Sequence, residues 1–357
     1  MDRAVGRREV TLRDVAVAAQ VSKATAARAL GDYGAVRAEV RERVCRAAAK
    51  LGYRPNAVAR MMSTGRSNTI GMVVGDIQNP FFAQATRGAS DAADAAGYEL
   101  ILSNSDEAPA LEAKAIGVQL DKRVDGLLIA PASSRNGDAL SAVVAAGRPF
   151  VLFDRTVPQL DVDAVIADNR RGARVLTRLL TDAGHRRIAF LSTLEHPGGY
   201  RRGDVLSLSS VADRVAGFEQ AMRDAGAERG AVVRLGAPRE DIEPVAVELL
   251  TGGAGVTAVV ASDSLIALGV YRACRDLELR IPDDVSLVAF DDAYWTGLVE
   301  PGITVMAQPM HAIGAEAAGI LLRRIGGAPD GPQVRVLEQE LIARGSVAAP
   351  AARLEPS

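Results

Sequence analysis

The apolar pattern changes character along the chain. From Thr11 to Leu30 (TLRDVAVAAQVSKATAARAL) it predicts two short helices joined by a tight turn. Val15, Ala16 and Ala19 recur at helical spacing and make one apolar stripe. Thr11 and Asp14 fit a capping box at its start. The stripe breaks at Gln20-Val21. Ser22 then caps a second helix, with Lys23, Ala24, Thr25 and Arg28 on one side and Ala26, Ala29 and Leu30 on the other. Arg37 to Leu51 predicts a third amphipathic helix, Val40, Val44 and Ala47 facing inward and Gly52 as C-cap. Pro55 stops that run, Asn56 can cap another helix of about two turns, and Gly65 ends it. A helix that short is unstable alone in water.

From Thr69 short apolar runs alternate with helical stretches. The runs are 70–74, 100–103, 126–130, 150–153 and 165–167, with helices near 82–96, 110–123 and 138–146 between them. A second series has runs at 188–191, 232–235, 258–261 and 286–290, with helices near 170–183, 211–225, 241–250 and 264–277. Apolar runs without alternation, joined by helices, mean parallel strands covered on both faces. Two such series predict two doubly wound subdomains with a cleft between them. Thr304 to Arg344 then crosses back with a helix and a strand. The fold class is therefore an all-α head plus an α/β body of two parallel-sheet subdomains. The boundaries read as 1–55 for the head, 56–68 for a linker and 69–347 for the body. The first subdomain takes 69–168 with 301–325, the second 169–300 with 326–347, and 348–357 is a tail.

Two small-residue helices packed across a tight turn make a helix-turn-helix, which offers the N-terminal residues of its second helix to the DNA major groove. The same residues would also suit a plain helical hairpin with Lys23 and Arg28 solvated. Charge changes that balance. The chain of 357 residues has a net charge of −2, but residues 1–66 hold 14 Lys+Arg against 6 Asp+Glu and the remainder 28 against 38. A basic head on an acidic body confines the electrostatic footprint for phosphate to one end. Cys45 and Cys274 lie far apart in helical patterns and read as buried hydrophobes, not as a disulfide or metal pair. No long apolar run suggests a leader or a membrane span, so a cytoplasmic protein is expected.

With VTLRDVA, VSKAT, LGYRPNAVAR and TGRSNTIGMVV, the chain resembles the lactose-repressor (LacI/GalR) family of bacterial transcription regulators. The resemblance runs over essentially the whole chain. It implies a homodimer that binds a near-palindromic double-stranded operator and answers to a small molecule. It places Lys23 and Ala24 on base-reading positions, and Thr25 and Arg28 on base or phosphate contacts. Thr11 and Ser22 join them at the DNA face. It makes Asn56 to Ser63 a hinge helix, with Asn56, Ala59 and Met62 meeting the minor groove and Met62 as the wedge. Four positions depart from the family pattern. Gln20 stands where Gly or Asn is usual, Ala26-Ala27 replace Val-Ser, Arg37 replaces a capping Ser or Thr, and Met62 replaces Leu.

In open parallel sheets ligands sit at the carboxyl ends of strands. Asn79, Phe81, Phe82, Asp154, Arg155 and Asp291 follow such ends. The resemblance, which extends to periplasmic sugar-binding proteins, adds Arg214 and Gln308 and makes all eight effector contacts. Aromatic faces stack on a sugar ring, and charged Asp and Arg bond to vicinal hydroxyls. Asn79-Pro80 would equally suit a helix start, and one of the two phenylalanines would suit the core. Asp292 reads as a solvated or capping neighbour. The loop from Glu195 to Ser210 is placed near the cleft mouth. No enzyme is read here: His185, His196 and His311 lie in separate segments without a metal or triad spacing, and no GxGxxG follows the first strand. No cofactor or metal is expected. The weighed alternatives are a sugar carrier without DNA function and a nicotinamide-dependent sugar enzyme.

Overall fold

The computed structural model describes residues 10–31, 35–53, 65–135, 137–194, 196, 199–236 and 242–351. Their contacts divide the chain into two units, parted between Asn68 and Thr69.

The first unit packs α1 (Leu12–Ala18), α2 (Lys23–Gly31) and α3 (Ala38–Leu51) around Val15, Ala16, Ala19, Ala26, Ala29, Val44 and Ala48. Thr11 and Asp14 form the capping box. Gln20 holds the turn in the left-handed region at φ 55, where a non-glycine residue costs about 1–2 kcal/mol. Gly52 ends α3 at φ 66. Cys45 departs from the sequence expectation: it is exposed, because Val44 and Ala48 take the inward positions of α3. Cys274 is buried, and burial pushes its thiol up to about 12.

The second unit begins with β1 (Thr69–Val74), α4 (Pro80–Ala95), β2 (Glu99–Asn104), α5 (Pro109–Asp121), β3 (Gly126–Ile129), α6 (Asp138–Ala145), β4 (Phe150–Phe153) and β5 (Ala164–Ala167). It continues with α7 (Asn169–Asp182), β6 (Ile188–Leu191), α8 (Ser209–Asp224), β7 (Ala231–Arg234), α9 (Ile242–Thr251), β8 (Ala258–Ala261), α10 (Ser264–Asp276) and β9 (Ser286–Phe290). Last come β10 (Thr304–Ala307), α11 (Met310–Ile325), β11 (Val334–Leu337) and β12 (Glu340–Ile342). One sheet runs β11-β5-β4-β3-β1-β2 and the other β12-β10-β9-β8-β6-β7. All pairs are parallel except β10 with β12. Helices cover both faces of each sheet, as the unbroken apolar runs require.

The return segment differs from the sequence expectation. β10 belongs to the second sheet, whereas the sequence pattern assigns 301–325 to the first subdomain; β11 belongs to the first sheet, whereas the pattern assigns 326–347 to the second. Only α11 of the former stretch lies in the first lobe, where Gly88 of α4 meets the His311 carbonyl and Gly314 meets that of Ala85. No Cβ would fit at either glycine, so the two helices pack backbone to backbone. The chain thus crosses between lobes three times: after β5, after β10 and after β11. The edge strands also differ from fully buried runs, with Ile101 and Leu102 of β2 partly exposed. Strand pairing decides this, and it is not written in one run's composition. Among the described residues no helix is long and apolar enough to cross a membrane.

Candidate functional site

In the head, the second helix presents Lys23, Ala24 and Arg28 to solvent while Ala26 and Ala29 are buried beneath them. Ser22 is the cap: its Oγ accepts the Thr25 N–H at 3.1 Å and lies 2.8 Å from Thr25 Oγ1. Thr25 is therefore held in place and half-buried. Thr11 is tied into its capping box, its N–H donating to Asp14 Oδ2 at 2.8 Å. Arg43, unnoticed in the sequence, donates from Nε to the Ala19 carbonyl at 2.9 Å and locks α3 onto the end of α1. Arg37 begins α3 without any side-chain cap. Asn56, Ala59 and Met62 lie outside the described residues.

In the body, the carboxyl ends of the strands converge on one cavity between the lobes. All eight of Asn79, Phe81, Phe82, Asp154, Arg155, Arg214, Asp291 and Gln308 line it. So do Glu107, Ser192, Leu194, Leu208, Ser210 and Asp263, which the sequence pattern does not single out. Glu107, Ser192 and Asp263 follow β2, β6 and β8, so the strand-end rule applied to every strand would have found them. Leu208 enters from the end of the loop before α8, and Ser210 from the first turn of that helix.

Each charged group is held. The Arg155 guanidinium reaches Glu107 at 2.7 Å, Asp154 at 2.9 Å and the Pro131 carbonyl at 3.2 Å, above the Phe82 ring. Arg214 donates to Asn169 Oδ1 at 2.8 Å and to the Ser262 carbonyl at 2.6 Å, with its guanidinium 4.2 Å from the Phe290 ring centre. Gln308 donates to Asp291 at 2.6 Å, and its own buried Oε1 has no hydrogen-bond partner among the described residues. Burial lifts the Asp154 carboxyl above its usual range, against the pull of Arg155 and Arg214. Burial likewise pushes Asp291 up to about 7, against Arg214 and Gln308. Asn79 is also the cap of α4, accepting the Phe81 N–H at 3.0 Å. Phe81 and Phe82 both border the cavity and both belong to the core. Asp292 points elsewhere and binds Arg344 at 2.6 Å.

The cavity measures about 50 Å³, far below the roughly 300–1,000 Å³ of a small-molecule pocket. The lobes therefore leave only a small space between them. No cluster that could hold a metal occurs among the described residues.

A helix-turn-helix head and a two-lobed body enclosing a polar cavity are the parts of a ligand-responsive transcription regulator. Residues 11–56 match the family described as bacterial regulatory proteins, lacI family, and residues 177–347 match the periplasmic binding protein-like domain. The HTH-type transcriptional regulator KdgR of Bacillus subtilis is 32% identical over 342 residues, covering 94% of this chain and 97% of that protein. The Lac repressor dimer bound to operator and the anti-inducer ONPF superposes with a TM-score of 0.81 at 25% identity, over 96% of this chain and 100% of that one. The transcriptional regulator CelR in complex with cellobiose gives 0.68 at 29% identity, over 95% and 100%. The chain belongs to the LacI family: it is a DNA-binding transcription regulator, not an enzyme.

Proposed function

We propose that the protein represses genes of sugar use, binding a near-palindromic operator as a homodimer and answering to a sugar held between its lobes. The observation that carries the effector is the convergence of seven side chains that follow strand ends, with Arg214 of α8, on one polar cavity. The buried Oε1 of Gln308, without a hydrogen-bond partner among the described residues, calls for a donor such as a ring hydroxyl. The structural neighbour in complex with cellobiose supports the same ligand class. Lys23 and Ala24 read bases, while Thr25 and Arg28 add base or phosphate contacts. Residues 56–63 fold as a hinge helix on DNA, where Met62 wedges into the minor groove. Effector binding shifts the lobes and so the separation of the two hinges in the dimer.

Footprinting upstream of the neighbouring genes, with and without candidate sugars, tests the reading: a protected palindrome that one sugar releases or tightens is expected. Arg214→Ala or Asp291→Ala then abolishes the response while leaving sugar-free operator binding. Loss of one charged partner costs roughly 2–5 kcal/mol, at least about 30-fold in affinity. Unchanged sugar affinity of Asp291→Ala by calorimetry rejects the cleft assignment.

A further inference from the structure

The segment leading into α8 reads Leu206-Ser207-Leu208-Ser209, and it alternates. Leu206 and Leu208 are buried in the second lobe's core. Ser207 and Ser209 turn to the first lobe and make three hydrogen bonds across the cleft. The Ser134 N–H donates to the Ser207 carbonyl at 2.6 Å. The Ser209 N–H donates to Ser134 Oγ at 2.9 Å. The Thr156 N–H donates to Ser209 Oγ at 2.9 Å. Ser134 follows β3 and Thr156 follows β4, so two first-lobe loops are tied to one second-lobe segment. The three chain crossings leave after β5, β10 and β11, towards one side of the paired sheets, and the serines bind the neighbouring loops after β4 and β3. The segment is itself braced: His196 and the Arg201 N–H both bind Asp204, at 2.9 and 2.8 Å, and Tyr200 binds Glu219 at 3.0 Å.

A cavity of about 50 Å³ admits no sugar until the lobes part. We propose that Ser209, with Ser134, is a clasp that sets how often the cleft opens. Both are positioning residues, for neither lines the cavity. Parting the lobes breaks all three bonds together, and the clasped form withholds the site from an incoming ligand. That last consequence rests on the cavity being the effector site; the clasp itself does not.

All three donors are backbone amides, so amide hydrogen exchange on the full-length protein reads the clasp without any ligand. Ser209→Ala removes one acceptor, and one net hydrogen bond is worth about 0.5–1.5 kcal/mol, or roughly a 2- to 12-fold change in the closed-to-open ratio. The amides of Ser134 and Thr156 should both exchange faster by that factor. Those of Leu152 in β4 and Val260 in β8, inside the sheets, should not change, and Ser209→Thr should restore protection. Ser134→Ala should in turn speed the Thr156 amide. Acceleration at Thr156 alone in Ser209→Ala, with Ser134 unmoved, would show a local bond and overturn the proposal. So would full exposure of all three amides in the unmodified protein. If Ser209→Ala loosens the sheet amides as well, Ser134→Ala decides the matter: a faster Thr156 amide supports the clasp, and an unmoved one overturns it. A sugar found to bind elsewhere would end the effector reading and leave the exchange result standing.

Discussion

Asp154 and Asp291 occupy the same place in the two lobes. Each follows the third strand of its sheet, β4 or β9. Each takes a left-handed backbone, at φ 65 and φ 75. The N–H of each donates at 3.0 Å to the neighbouring strand, at Val165 for Asp154 and Met306 for Asp291. Such backbone in a non-glycine residue costs of order 1–3 kcal/mol and persists only where its surroundings over-determine it. Here it turns two carboxylates into one cavity from opposite sides.

Asp291 makes stability depend on pH. Its folded value near 7 stands above the usual 3.8. Between those values the unfolded chain has released its proton and the folded one keeps it, so stability falls as pH rises and levels off above about 7. Asp291→Asn removes this contribution. Relative to the unmodified protein, the variant should gain about 1.4 kcal/mol per pH unit between roughly pH 4 and 7. Urea denaturation across that range measures it, and parallel pH profiles would refute it.

Arg155 holds the buried Asp154 carboxylate and the partly exposed Glu107 carboxylate at once. Arg155→Ala strands them, and breaking a buried pair by removing one partner costs about 3–5 kcal/mol. Adding Glu107→Gln and Asp154→Asn should recover part of that loss, since the charges then vanish together. A loss of stability smaller than about 1 kcal/mol in Arg155→Ala, the range of exposed pairs, would mean that solvent already screens the cluster.

The missing cap on α3 is a correctable defect. Arg37→Ser or Arg37→Thr should stabilise the head by about 1 kcal/mol, the typical worth of an N-cap side chain. Helical signal of the isolated head on heating reports it; no rise in melting temperature would show that the first-turn amides are satisfied by solvent.

Lys23 stands exposed at the start of α2. If it reads a base, Lys23→Ala should cost about 1–3 kcal/mol on operator and relax specificity at one position. If it only meets phosphate, binding should weaken evenly across sequences and the salt slope fall by about one. Titrations on operator and random DNA at several salt concentrations separate the two.

A fragment starting at Thr69 should fold alone, since the chain divides there. It should bind no operator, as the excess of basic residues lies before it. Retained operator affinity would move the DNA site into the body.

Local signals suffice for the elements. Thr11, Asp14, Gly52 and the Pro80 helix start act through bonds a few residues long, so periodicity and capping name them correctly. Strand-end position likewise brings out cavity residues, because every parallel sheet points its carboxyl ends the same way. Glu107 escapes although it obeys the same rule, for β2 is an edge strand with an exposed face.

Sequence alone thus determined the three-helix head, its basic charge, the alternation of strands and helices and the kind of side chain that meets in the cleft. These follow from interactions between near neighbours, or from charges that need no partner. Tertiary structure alone decided that β10 and β11 exchange sheets, that Cys45 faces outward, and that Ser209 reaches Ser134 and Thr156 across the cleft. Each depends on which distant surfaces meet. That choice is set by the summed burial of many side chains, and no single stretch of sequence contains it.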